Sequence, residues 1–195
     1  GFAVLTGSFV IGDDDVRFRS RQQPVQLPPA AETIAVFRID AEQGAAVPAD
    51  TVARRILAAV PRSVRGVQID FDARVSERTE YRKLLVLLRR GLSANTELSI
   101  TALASWCLDD PWIFDLPIDE AIPMLFQMGP EAAAIRRYLE RGGAFRVPLC
   151  HRSVGLSLDE PVMRLPRNLR QIYLFSPQPW SQRSVALAQQ AGMFR

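Results

Sequence analysis

The chain holds a single histidine, His151, a single lysine, Lys83, and two cysteines, Cys107 and Cys150. Two cysteines and one histidine at those spacings match no zinc signature, so neither a metal site nor a cofactor is expected. If Cys150 and His151 are neighbours on a strand, they face opposite ways and are poorly placed as nucleophile and base. Two cysteines do not make a disulfide scaffold. The favoured reading is a pair of buried small hydrophobes, with a single bridge left open for an exported protein. No apolar run approaches membrane-spanning length, so no membrane span is expected. No glycine-rich phosphate loop follows any strand-like run, which counts against a nucleotide-binding Rossmann domain. No charged-then-apolar leader opens the chain, which begins at Gly1 rather than Met. The expectation is a missing natural N-terminus, with localisation open and periplasmic or extracytoplasmic placement among the options.

What is present is a chain of 195 residues, 48% hydrophobic, with a formal net charge of +3. That is enough apolar material for one core, and residues 1–195 read as a single domain. Apart from Lys83 the cations are all arginine. Most are scattered on helix-like segments beside Glu, as on a solvated surface. Arg17, Arg19 and Arg21 form the one local cluster, in a loop just after Asp13, Asp14 and Asp15. Nucleic-acid binding calls for a basic stripe with interleaved aromatics, and no nucleic-acid partner is expected.

Apolar β-type runs alternate with helical ones. Residues 2–11, 34–40, 66–72, 98–103, 121–128, 144–149 and 170–175 read as strands. Helical spacing covers Pro48 to Val60, with Val52, Ile56 and Val60 on its stripe and Pro48 suited to the first turn. A second helix carries Tyr81, Leu84, Leu85 and Leu88 up to Gly91, with Ser76 and Thr79 as N-cap candidates. A third runs from Pro130 to Gly142–Gly143, and a last one from Ser181 to Ala191. Strands recurring every ~25 to 30 residues with helices between them imply βαβ units and a parallel sheet. The expected fold is α/β, a TIM-barrel-like (β/α) barrel. A full one needs about 200 to 250 residues, so this one is expected to be incomplete or to lack its first strand.

The segment Gly66-Val67-Gln68-Ile69-Asp70-Phe71-Asp72 carries the functional signal. Alternation puts Val67, Ile69 and Phe71 on one face and Gln68, Asp70 and Asp72 on the other, both carboxylates at the C-terminal end. In a barrel the apolar face packs under helices and the acids look into the mouth, where barrel enzymes keep their chemistry. The neighbouring strand brings Arg38 and Asp40 to one face of its own.

Several of these segments resemble the glycoside hydrolase family 18 (chitinase-like) barrels. That family's fourth strand reads Gly-Ile-Asp-Ile-Asp-Trp-Glu, against residues 66–72 here. The helix with Tyr81, Leu84 and Leu85 and the strand Leu98-Ser99-Ile100-Thr101-Ala102 keep the family's order. Met124-Leu125-Phe126-Gln127 stands where its sixth strand ends Met-X-Tyr-Asp. The likeness covers about the middle half of the chain, through short motifs. More closely, the whole chain resembles an uncharacterised bacterial domain-of-unknown-function family. Its members carry the Asp-Phe-Asp strand, a Thr-Ala-Leu-X-Ser-Trp segment and a Pro-Met-Leu strand. The departures from the hydrolases are specific. Asp72 replaces the proton-donating Glu, its carboxyl about one methylene further back. Asp70 takes the place of the preceding Asp, and Gln68 that of the Asp before it. Phe126 and Gln127 replace the Tyr and Asp that hold the substrate's N-acetyl group, so chitin hydrolysis as such does not follow.

The resulting expectation is a glycoside-hydrolase-like domain acting on a bacterial polysaccharide, with Asp72 as general acid and Asp70 as its electrostatic partner. Repulsion between the two acids and partial burial should raise one of their pKa values. The bland alternative salt-bridges Asp70 to Arg38. Substrate contacts are assigned to Asp40, Arg38, Gln68, Trp106, Gln127 and Trp180. Trp106, Trp112 and Phe114 sit among Asp109, Asp110 and Asp115 in a loop that either stacks sugar rings or simply folds down. Asp119 and Glu120 read as surface. A carbohydrate ligand is expected, and oligomeric state stays open. The rival function is a barrel without catalysis that binds glycan or a protein partner. A metal-dependent glycosyltransferase holding a cation on Asp70 and Asp72 is weaker, since no nucleotide-binding half precedes them.

Overall fold

A computed structural model describes every residue except 14, 162, 164, 166–168 and 191–195. Ala191, expected to end the last helix, and Asp14 of the acidic turn therefore lie outside the described residues. The chain divides into two compact units. The first holds residues 1–101 and 115–120, the second residues 102–114 and 121–195.

The first unit is built on strands β1 (Phe2–Ile11), β2 (Val16–Ser20), β3 (Thr33–Ala41), β4 (Gly66–Asp70) and β5 (Glu97–Leu103), in the order β2-β1-β3-β4-β5. Ala102 and Leu103, at the end of β5, count with the second unit. β1, β3, β4 and β5 run parallel, and β2 pairs antiparallel with β1. Helices α1 (Ala49–Ala59) and α2 (Arg78–Gly91) make the crossovers between β3, β4 and β5, as parallel pairing requires.

Binary pattern accounts for these elements. Val52 and Ile56 of α1 are buried, as are Tyr81, Leu84, Leu85 and Leu88 of α2. They meet one face of the sheet, where Phe37, Ile39, Val67, Ile69, Leu98 and Ile100 are buried. Phe71 continues that face and contacts Tyr81 edge-on, ring centroids 5.1 Å apart. Pro48 caps α1, its missing N–H costing nothing there. At α2 neither Ser76 nor Thr79 is the cap. Instead the Glu77 carboxylate accepts the Arg74 amide at 2.6 Å and also pairs with the Arg74 guanidinium.

The second unit holds β6 (Glu120–Met124), whose first residue counts with the first unit, β7 (Ser153–Ser157), β8 (Gln171–Phe175), α3 (Ala132–Glu140) and α4 (Gln182–Gln190). β7 lies between β6 and β8, parallel to both. Gly155 fits there because a Cβ would stand 2.4 Å from Met124 Sδ. Helix α3 ends where Gly142 takes φ +87°, a left-handed conformation suited to glycine.

The α/β class with predominantly parallel strands is as expected. Four local expectations are corrected. Val16–Ser20, expected in a loop, is a strand. Residues 144–149 form no strand: the Arg146 and Val147 amides bond to the Cys107 carbonyl, and a 3-10 turn covers Pro148–Cys150. The strand of this region is β7, four residues further on. Cys107 and Cys150, favoured as free thiols, form a disulfide, both fully buried. Glu120, expected at the surface, is buried in β6, while Asp119 accepts the Leu98 amide at 2.8 Å and pairs with Arg89.

Candidate functional site

Parallel pairing sets Arg38 of β3 directly beside Asp70 of β4. Partnered residues of adjacent strands share a face, so Arg38, Gln68, Asp70, Ser99 and Thr101 all point away from the helices. Down this face Gln68, Ser99 and Thr101 are buried, an unusual polar lining for the middle of a sheet. Towards the C-terminal ends the face opens. Arg38 and Asp40 are about half exposed, Asp70 is partly so, and Asp72 is exposed in the segment just past β4.

The charges are arranged in order. Arg38 Nε donates to both oxygens of Asp40, at 3.0 and 3.1 Å. That bond, more than any other influence, raises the guanidinium pKa. Asp70 takes no hydrogen bond from Arg38. Its Oδ1 accepts from Thr101 Oγ1 at 2.8 Å, while the Arg38 charge acts on it through space. Asp72 behaves differently. Though the residue is exposed overall, its carboxyl loses part of its water to neighbouring protein atoms, which raises its pKa. The Asp70 charge adds to that, Arg38 opposes it, and Asp40 raises it slightly more. Two carboxylates two residues apart thus differ in character, one anchored by a hydroxyl and the other inclined to keep its proton. The buried Tyr81 phenol is held well above its usual range, first by burial and then by the charges of Asp70 and Asp72.

Arg38, Asp40, Gln68, Asp70 and Asp72 therefore come together on one face of the first unit. Trp106, Gln127 and Trp180 belong to the second unit. Trp106 is buried and meets Trp112 edge-on at 5.1 Å, so it offers no open ring face. Gln127 sits at φ +49° and its amide donates to Glu160 Oε1 at 2.8 Å, with Glu160 also held by Arg136. Trp180 is 49% exposed, and Phe114 is exposed as well. Phe126 lies against Phe175 at 5.1 Å.

Two residues of the cluster were not singled out for it from sequence. Thr101 stands on the strand next to Asp70 at the same level, and alternation from Ser99 would have found it. Tyr81 was read only as part of a helix stripe, and nothing in that stripe distinguishes it from its leucine neighbours.

Among the described residues no group of three or more His, Cys, Asp or Glu side chains is placed to hold a metal ion. No described helix is long and apolar enough to cross a membrane. A cavity of about 670 Å³ lies at the opposite end of the strands, lined by Leu5, Val25, Ile34, Ala59 and Pro61 among others, and includes none of the acidic cluster. No protein-family model, curated protein or solved structure matches the chain.

Proposed function

We propose that the strand-end cluster of the first unit is a glycan-processing site of glycoside-hydrolase type, with Asp72 as general acid. The supporting observation is the unequal pair: an exposed Asp72 with a raised pKa beside an Asp70 fixed by Thr101. A general acid must arrive protonated and within reach of a leaving-group oxygen, and the raised pKa of Asp72 favours the first condition. Asp70, fixed by Thr101 beside Arg38, is placed to face an oxocarbenium-like transition state. Asp40 and Arg38, both about half exposed, supply hydrogen bonds for sugar hydroxyls, with Gln68 buried beneath them. Trp180, with its exposed ring, and Gln127 belong to the second unit and are candidate ligand contacts of that unit alone.

The reading carries a (β/α) barrel with it, a finer architecture than the parallel strands described above. Its support is the buried polar face of Gln68, Ser99 and Thr101 opposite the helix-covered face, as a barrel interior would need.

A second reading, a glycan- or protein-binding barrel without catalysis, is favoured by one observation. Arg38 and Asp70, the neighbours of Asp72, are already engaged by Asp40 and Thr101. Release of reducing ends from a panel of polysaccharides and aryl-glycosides separates the two. Under the first reading Asp72→Asn lowers turnover ~100-fold or more and leaves binding intact. Binding without turnover, unchanged in Asp72→Asn, selects the second.

A further inference from the structure

The arginine cluster after the first strand has a defined address. Arg17 and Arg19 lie on β2, the antiparallel strand at the outer flank of β1. Register pairs Arg19 with Ser8 and Arg17 with Val10, while Ser8 and Val10 pair in turn with Arg38 and Asp40. Directly paired residues share a face. One row therefore reads Arg19, Ser8, Arg38, Asp70 across four strands, and the next reads Arg17, Val10, Asp40. Phe18, between the two arginines, points to the opposite face and packs on Phe9 at 4.7 Å. The face that carries the acidic pair is thus strongly basic at its other side.

These arginines are available. Arg19 is exposed, and among the described residues its side chain forms no hydrogen bond or ion pair. Arg17 is 54% exposed, and among the described residues its side chain holds only an exposed bridge to Asp15, worth little in water. Packing does not account for them, since neither covers a core residue on this face. Three strand spacings separate Arg19 from Asp70, about 14 Å.

We propose that Arg17 and Arg19 form an anion subsite on the same sheet face as the acidic cluster, so that its ligand is an acidic glycan bearing uronate groups. The inference rests on the glycan reading of Asp70 and Asp72 and specifies which glycan class fits it. A uronate several sugars from the reacting bond meets guanidinium forks that bind carboxylate bidentately. The neutral Ser8 position and the Arg38–Asp40 pair lie in between and accommodate sugar hydroxyls. A nucleic acid is less well matched. Among the described residues of these strands, no aromatic side chain shares the face of Arg17 and Arg19 for base stacking.

The test is calorimetric titration of the whole chain with oligogalacturonate, alginate oligomers, neutral cello- and chito-oligosaccharides and single-stranded DNA, at low and moderate salt. The probes are applied to wild type, to Arg17→Ala/Arg19→Ala, and to Asp72→Asn. The double variant's melting temperature is checked first, and these exposed positions should leave it unchanged. An acidic oligosaccharide is expected to bind, to weaken with salt, and to lose about tenfold or more in affinity in the arginine variant. Asp72→Asn, which removes a negative charge near the ligand, should bind it more tightly, and weaker binding would overturn the subsite's placement beside Asp72. If neutral oligosaccharides bind equally well and ignore the arginines, the anion subsite is wrong while the glycan reading stands. If no glycan binds, both fall. DNA binding that depends on these arginines would replace the glycan with a nucleic acid.

Discussion

Asp70 and Thr101 are joined by a 2.8 Å hydrogen bond between neighbouring parallel strands, at the edge between buried sheet and solvent. The hydroxyl is itself buried, so it positions one oxygen of the carboxylate while the rest of the group stays hydrated. Thr101→Val keeps the shape and removes the donor. A lost hydrogen bond to a charged group at a partly buried site costs ~1.5 to 3 kcal/mol. Urea denaturation should show that loss for Thr101→Val and near-wild-type stability for Thr101→Ser.

Asp72 should make the fold less stable as pH rises. Its pKa in the folded chain lies above the ordinary 3.8, so the folded state holds this proton more tightly than the unfolded chain does. The contribution is therefore complete below that ordinary value and is lost as pH climbs through the higher folded one. Asp72→Asn removes the effect. Measured against wild type, it should gain stability at neutral pH and lose that advantage in acid. The side chain is exposed, so the gain is on the order of 0.5 kcal/mol or less. Equal stability differences across the whole pH range would contradict this.

The disulfide should matter more. Cys107 and Cys150 are 43 residues apart in sequence and fully buried. Closing a loop of that length removes unfolded-state entropy equivalent to about 4 kcal/mol. Cys107→Ser/Cys150→Ser should lower the urea midpoint accordingly, and reduction of the wild type should reproduce the shift. A thiol reagent should label neither cysteine before reduction.

Much of this was readable from the chain, and the failures have physical causes. Strand alternation, a purely local rule, puts Gln68 and Asp70 on one face of β4, while Asp72, expected inside that strand, lies just past its end. The helices followed from buried stripes such as Tyr81, Leu84, Leu85 and Leu88. Arg17 and Arg19 hid a strand because charged alternation resembles a polar loop. Only pairing with Ser8 and Val10 identifies it. Residues 144–149 have strand-like composition, yet bonds to the Cys107 carbonyl hold two of their amides outside any sheet. The Cys107–Cys150 bridge is a long-range contact that two isolated cysteines do not encode. Arg38 was expected either to bind ligand or to pair with Asp70, and its hydrogen bonds go to Asp40 along its own strand. That choice depends on side-chain geometry that no spacing rule specifies.

Gly7 should tolerate no side chain while Phe18 stays. A Cβ at Gly7 would lie 2.4 Å from the Phe18 ring and 3.2 Å from the Arg19 carbonyl oxygen. The ring has little room to yield, because it already packs against Phe9 at 4.7 Å and stands 6.5 Å from Phe37. Gly7→Ala should therefore cost about 1 to 3 kcal/mol through overpacking. Phe18→Leu opens space at the same spot and has its own cost from lost aromatic contact. If the clash is the cause, the double variant is less destabilised than the two single costs added together. Additive costs in urea denaturation would instead place the Gly7 effect in the backbone, where β1 and β3 shift register between Leu5 and Gly7. The experiment thus separates side-chain crowding from backbone demand at the strand that holds Arg17 and Arg19 in place.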